Sequence, residues 1–186
     1  MSRRLVVPGA ALAVAVAALV TLQPAHAAAP NPRGAVCEIT GSATISPGLT
    51  QTAKTQSVTI SGVKLTNCQK GSAAAAGVPK KVSANVTTSP NPVTTTASCA
   101  KGNLALSATI AWSTGTTTTA KVTTTGVLAN QAIKGNVTGG TDPDLKAGDL
   151  VAGDVAFKPT TTAQNCAKTP VTAVTFTGVL GAGSPK

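Results

Sequence analysis

The sequence predicts an all-β fold, an antiparallel β-sandwich or barrel of roughly eight strands behind an N-terminal signal helix. Three observations carry this. Apolar and polar residues alternate in short runs, most clearly from Leu104 to Trp112. There Leu104, Leu106, Ala108, Ile110 and Trp112 share one parity, and Ala105, Ser107, Thr109 and Ala111 share the other, as in a strand with one face on a core. Turn-forming residues punctuate the chain between such runs, as at Pro47-Gly48 and Gly139-Gly140. After the signal segment no stretch shows a sustained helical period.

The chain opens on a targeting pattern. Ser2-Arg3-Arg4 is a basic start, Ala10 to Leu22 is an apolar run of Ala, Val and Leu, and Ala25-His26-Ala27 is a small-residue cleavage site. The apolar run is too short for a membrane anchor and is broken upstream by Pro8-Gly9. Residues 1–27 are therefore read as a signal peptide, 28–36 as a flexible lead-in rich in Ala and Pro, and 37–182 as a single β domain. The paired arginines leave general secretion and twin-arginine export both open, with general secretion favoured. No later apolar run is long enough to span a bilayer, so the expected location is extracellular.

Within the domain, Cys37 to Ile45 alternates cleanly, and Pro47-Gly48 turns the chain. The next strand starts near Gln56 with Val58 and Ile60 in phase. After Gly62 the phase moves to Val63 and Leu65, which predicts a β-bulge, because one extra residue shifts the faces. Gln69 to Pro79, with its four alanines, is read as loop, since so short a run does not sustain a helix. Val82, Ala84 and Val86 make a short strand, and Ser89 to Pro92 a proline-punctuated loop. The Trp strand follows Gly102. Thr116 to Thr125 is read as a half-exposed strand rather than a disordered stalk, because β-branched Thr suits a pleated surface. Ile133, Gly135 and Val137 form another strand, then a loop runs from Gly139 to Gly148. Val151, Gly153, Val155 and Phe157 share a face up to Pro159, and Val174, Phe176 and Gly178 lie in the last strand.

Four cysteines, Cys37, Cys68, Cys99 and Cys166, remain after cleavage. An even number in an exported chain reads as two disulfides. Three pairings are open. Cys37–Cys68 with Cys99–Cys166 is favoured, because the first brackets two consecutive strands and the second ties the start of the Trp strand to the C-terminal region. Without a CxxC pair, and with the single His at position 26 in the signal segment, zinc and thiol-redox chemistry are poor readings.

Trp112, the only Trp, is expected to be buried on one face with Leu104, Leu106 and Ile110 as the anchor of the core. The competing reading is an exposed ring stacked on a sugar.

Catalysis is easier to exclude than to propose. A Ser-His-Asp or Cys-His site has no His to use. Ser61-Gly62-Val63-Lys64 matches S-x-x-K, but on a strand and not on the helix that would bring Lys to Ser. Glu38 is the only Glu, so a facing carboxylate pair is not evident. Asp142, Asp144 and Asp149 form the most site-like polar stretch. They are read as turn chemistry in preference to calcium ligands, since their spacing is not that of an EF-hand loop. No catalytic residue, metal or cofactor is assigned, and the protein is expected not to be an enzyme.

The net charge is +10, from 15 Lys and Arg against 5 Asp and Glu. The lysines are spread singly apart from Lys80-Lys81, and there is no Tyr. Nucleic acid is not the expected partner, since rings for base stacking are lacking. Electrostatic attraction to anionic cell-wall polymers is the partner class the charge allows.

The spacing Cys99…Trp112…Cys166 is similar to the immunoglobulin Cys…Trp…Cys arrangement, but one uninterrupted strand leads from just after Cys99 into Trp112, and the tyrosine corner is impossible without Tyr. A closer resemblance lies in CEITGSATISPGLT, SGVKLTNC, the run into IAWSTG, and GNVTGG…AGDLVAGDVAF. These segments, above all C-x-I-T-G…P-G-L and the W-x-x-G turn, resemble functionally uncharacterised small secreted β-rich proteins of high-GC Gram-positive (actinobacterial) bacteria. The resemblance covers most of the mature chain and implies export, β-structure and a cysteine framework, but no activity. This chain departs from that pattern in its lysine-rich surface. The expected function is that of a secreted, non-catalytic β-protein associated electrostatically with the cell envelope. The alternatives are a secreted enzyme inhibitor and a carbohydrate-binding module.

Overall fold

The fold is that of a computed structural model, which describes residues 34–70, 81–161 and 166–184. The signal segment and the lead-in up to residue 33 lie outside the described residues. Nine strands are present: β1 (Ala35–Leu49), β2 (Lys54–Lys70), β3 (Ala84–Ser89), β4 (Val93–Ala97), β5 (Gly102–Trp112), β6 (Thr117–Val127), β7 (Asn130–Gly140), β8 (Leu150–Pro159) and β9 (Val171–Gly183). Helix is absent among the described residues.

The strands run in the order β1-β9-β8-β7-β6-β5-β3-β2, and β1 also pairs with β2. All of these ladders are antiparallel. The sheet is therefore a closed eight-stranded barrel with β4 added on β2. Closure gives the backbone groups of the wall partners and leaves few free edges. Inward residues are mainly Val, Ile, Leu and Ala, while most Lys and Thr among the described residues stand outside, Lys81, Thr118 and Thr124 being buried, the reverse of a barrel whose outer face meets lipid.

The registers place every β5 neighbour on a common axis. One end, here called the upper, gathers Trp112, the start of β6, the end of β7, and the β1–β9 pairing at Ala35↔Ala182. The lower end gathers Gly102, the β6–β7 turn, Leu49 and Val171.

The phase change at Gly62 is a β-bulge. Thr40 pairs with Lys64 and Ser42 with Ser61, so two β2 residues face one on β1. Gly62 has φ +61°, the left-handed conformation that a bulge of this kind asks of its first residue and that Gly adopts without a Cβ penalty. A second bulge, not foreseen from sequence, lies between Val36/Glu38 and Gln69/Thr66. There Asn67 takes φ 50°, and its amide donates to Glu38 Oε2 at 2.8 Å.

Several boundaries need correction. Ala35 and Val36, placed in the lead-in, belong to β1, where they pair with both β2 and β9. Gln69 and Lys70, placed in a loop, extend β2, and the rest of that loop, residues 71–79, lies outside the described residues. The strand expected around Val82 begins at Ala84 instead, and Val82 is exposed. β7 runs on to Gly140. β4 was not expected at all: Val-Thr-Thr-Thr-Ala is short and follows prolines, and its ladder is with β2, which is not its neighbour in the chain.

Two side-chain amides replace missing ladder rungs. Beyond Ser46↔Ser57, Gln56 is fully buried; it accepts from Gly48 N–H at 3.0 Å and donates to Gly48 C=O at 3.1 Å. Between the β2–β4 and β2–β3 ladders, Asn91 accepts from Ile60 N–H at 3.0 Å and donates to Ile60 C=O at 2.7 Å. Each amide matches the donor–acceptor pattern of a peptide group, so backbone that leaves its strand partner stays satisfied.

Candidate functional site

The interior divides into two cores. The upper core holds Trp112, Ile110, Leu65, Val137 and Leu145, with Ala35, Cys37 and Cys68 around them. The lower core holds Ile45, Leu49, Val58, Val93, Val171 and Val174. The upper end is plugged. Trp112 is 5 % exposed, and its indole N–H donates to Thr118 Oγ1 at 2.8 Å, which satisfies the one polar atom of a buried ring. The loop from Thr141 to Asp149 folds across this end and drives Leu145 into the core at 2 % exposure.

Buried charge holds that plug in place. Lys81 Nζ lies 3.1 Å from Asp142 Oδ1 and 3.0 Å from Asp144 Oδ2, and 5.8 Å from the Trp112 ring centroid. Asp142 also accepts from Asp144 N–H at 2.9 Å and from Thr116 Oγ1 at 3.2 Å. Asp149 accepts from Lys146 N–H at 2.8 Å and from Ser184 Oγ at 2.9 Å. The three carboxylates are thus spent on turns, a lysine and Ser184 just beyond β9. Burying them is tolerable because each is paired or hydrogen-bonded. Among the described residues no group of three or more His, Cys, Asp or Glu side chains converges as a metal site would require.

Between the two cores lies an apolar cavity of about 130 Å³. Ile39, Ile60 and Val86 line one side, Leu104, Leu106 and Val122 another, and Phe157, Phe176 and Leu180 a third. No charged side chain lines it among the described residues. The Phe157 and Phe176 rings pack together with centroids 5.4 Å apart, on the β8–β9 wall. The opposite wall offers no aromatic ring, only aliphatic groups and a few Thr and Asn side chains. Leu104, Leu106, Val86, Val122 and Leu128 face this space and remain half-buried.

The wall beside the cavity is incompletely zipped. β5 pairs with β3 only from Ser107 to Trp112. From Gly102 to Leu106 its ladder is with β6 alone, and among the described residues no ladder joins it to β4. Among the described residues, one side-chain bond, from Thr95 Oγ1 to the Asn103 carbonyl, spans that seam. Leu104 and Leu106 lie directly behind it. The β4–β5 turn crosses the lower end, where Cys99 N–H donates to Thr50 C=O at 2.9 Å and Cys99 C=O accepts from Leu128 N–H at 3.0 Å.

The residues singled out from sequence fall as follows. Cys37 is bonded to Cys68 at the upper end and Cys99 to Cys166 at the lower, the pairing favoured from sequence. Trp112 is buried beside Ile110, but Leu104 and Leu106, on the same face, stay half-buried because they border the cavity. Ser61 and Lys64 are exposed at the Gly62 bulge, and Ser61 Oγ lies 3.0 Å from Ser42 Oγ. Sequence reasoning missed Lys81 as the partner of the aspartates, and missed Gln131, which lines the cavity at 8 % exposure. Its parity with Ile133 and Val137 was the available signal.

Two disulfides fit an oxidising compartment, and among the described residues no helix is long and apolar enough to cross a membrane. Comparison of the chain with models of protein families, with curated proteins and with solved structures finds no match in any of the three.

Proposed function

We propose that this is an exported, non-catalytic barrel that holds a small apolar molecule in its interior. The cavity carries the reading: about 130 Å³ lined mainly by aliphatic and aromatic side chains. Eight-stranded barrels are of the size at which the interior is either just filled or holds one small ligand. An engineered apolar cavity of about 150 Å³ stays dry and takes up benzene, so this space suits a ligand of similar bulk. The seam beside Leu104 and Leu106 offers a way in that leaves the plugged end undisturbed. Burial of Trp112 removes the ring on which a sugar-stacking reading depends. Titrating the mature, oxidised protein with benzene tests the proposal. Saturable binding that Val122→Phe abolishes is the expected result, and no binding by the native protein would refute it.

A second reading concerns where the barrel resides. Lys54, Lys64, Lys121, Lys134 and Lys158 are all exposed on its strands, which supports electrostatic retention on anionic envelope polymers after secretion. Such retention falls as salt rises, because exposed charges are screened beyond about 8 Å at physiological ionic strength.

A further inference from the structure

We infer that the cavity selects a neutral amphiphile, a short alkyl chain ending in a carbonyl-type oxygen, and that Gln131 Nε2 is the donor that receives that oxygen. The inference rests on the reading of the cavity as a ligand site. Gln131 stands on β7 at 8 % exposure and lines the cavity at its lower end. Thr124 Oγ1 donates to Gln131 Oε1 at 2.6 Å. That bond occupies the amide's acceptor and turns its NH2 the other way. Among the described residues Nε2 makes no hydrogen bond, and since no fully buried side-chain nitrogen or oxygen among them lacks a partner, Nε2 keeps accessible surface where Gln131 lines the cavity.

The adjoining residue leaves this donor its space. Gly102 lies on the inward face of β5, and a Cβ built there would sit 3.0 Å from Gln131 Nε2. Nothing else comes nearer than 4.0 Å to that point, so the glycine hydrogen is what lets the amide lie over β5. A donor that faces an apolar space gains a hydrogen bond when a ligand oxygen meets it there. Apart from Thr88, Thr95, Ser98, Asn103 and Thr124, the rest of the lining is apolar, which suits an alkyl chain. A carboxylate does not suit it, because no cationic side chain lines the cavity to offset its desolvation. At this volume the ligand has about six to eight non-hydrogen atoms, by comparison with the benzene-sized cavity above.

The test uses hexan-2-one and hexane, which share a chain length and differ in the acceptor, with the full mature protein and its disulfides intact. Affinities are measured by NMR titration, and the carbonyl stretch of bound ketone by infrared spectroscopy. The ketone-to-alkane affinity ratio should fall roughly tenfold in Gln131→Leu, the scale of one buried hydrogen bond, with hexane affinity unchanged. Gly102→Ala, which displaces the amide without removing it, should lower the ratio in the same direction. The carbonyl band should lie at lower frequency in the native complex than in the Gln131→Leu complex. An unchanged ratio in both variants, with hexane still bound, would overturn the role of Gln131 and leave the cavity as a plain apolar site. Failure of the native protein to bind either compound would overturn the cavity reading as well.

Discussion

The two ends of the barrel are built from similar parts and are filled differently. Each has a disulfide, and each has a buried side chain that satisfies backbone or indole groups. The upper end also has Trp112, Leu145 and a buried lysine with two carboxylates, and it is packed shut. Below it, the two phenylalanines share one wall and face mainly aliphatic residues across the cavity. Composition explains the contrast. Aromatic residues make up 2 % of the chain, and an eight-stranded barrel needs large side chains to reach its axis. One indole and one inserted loop suffice for one end. What remains does not fill the middle.

That contrast can be broken most sharply at Trp112. Trp112→Ala should cost about 3–5 kcal/mol, the range for emptying a buried aromatic site, read as the shift in the denaturation midpoint. Native emission should be blue-shifted and poorly quenched by iodide, and red, fully quenchable emission would contradict the packing. Lys81→Met should be of similar size, about 3–5 kcal/mol, because it leaves two buried carboxylates without their cation. If Lys81→Met changed stability by only a few tenths, the plug would not depend on charge.

The two leucines on either side of the divide sharpen it further. Leu145→Ala removes a fully buried side chain and should cost about 2–5 kcal/mol. Leu104→Ala, half-buried beside existing space, should cost about 1 kcal/mol, because fewer packing contacts are lost. Equal costs would show that the lower half is as well packed as the upper. A smaller effect is expected outside the barrel: Lys121→Gln with Lys134→Gln should reduce retention on envelope material at low salt and leave thermal stability within about 0.5 kcal/mol.

Much of the fold can be read in the chain, because it rests on local signals. The period from Leu104 to Trp112 specifies one face of β5, and Gly62 marks its bulge by a change of phase. Cysteine parity and strand order favour the observed pairing. β4 escapes such reading because its ladder with β2 is non-local and its sequence sits among prolines. The same holds for the plug. Asp142, Asp144 and Asp149 can be recognised as turn residues, but Lys81 lies 63 positions from Asp144, and no local pattern links them. At the cavity, parity puts Gln131 inside with Ile133. Whether space surrounds it depends on the summed volumes of residues from many strands, and a single strand's pattern does not contain that sum.

The central claim is that the middle of the barrel, between the two cores, accepts a small apolar molecule and the plugged upper end does not. Methyl-resolved NMR of the mature, oxidised protein during a benzene titration tests it directly. The account predicts saturable shifts at Leu104, Leu106, Val122 and Leu128, with the Leu145 methyls and the Trp112 indole N–H unmoved. Shifts centred on Leu145 and Trp112, or none at any of these groups, would contradict it.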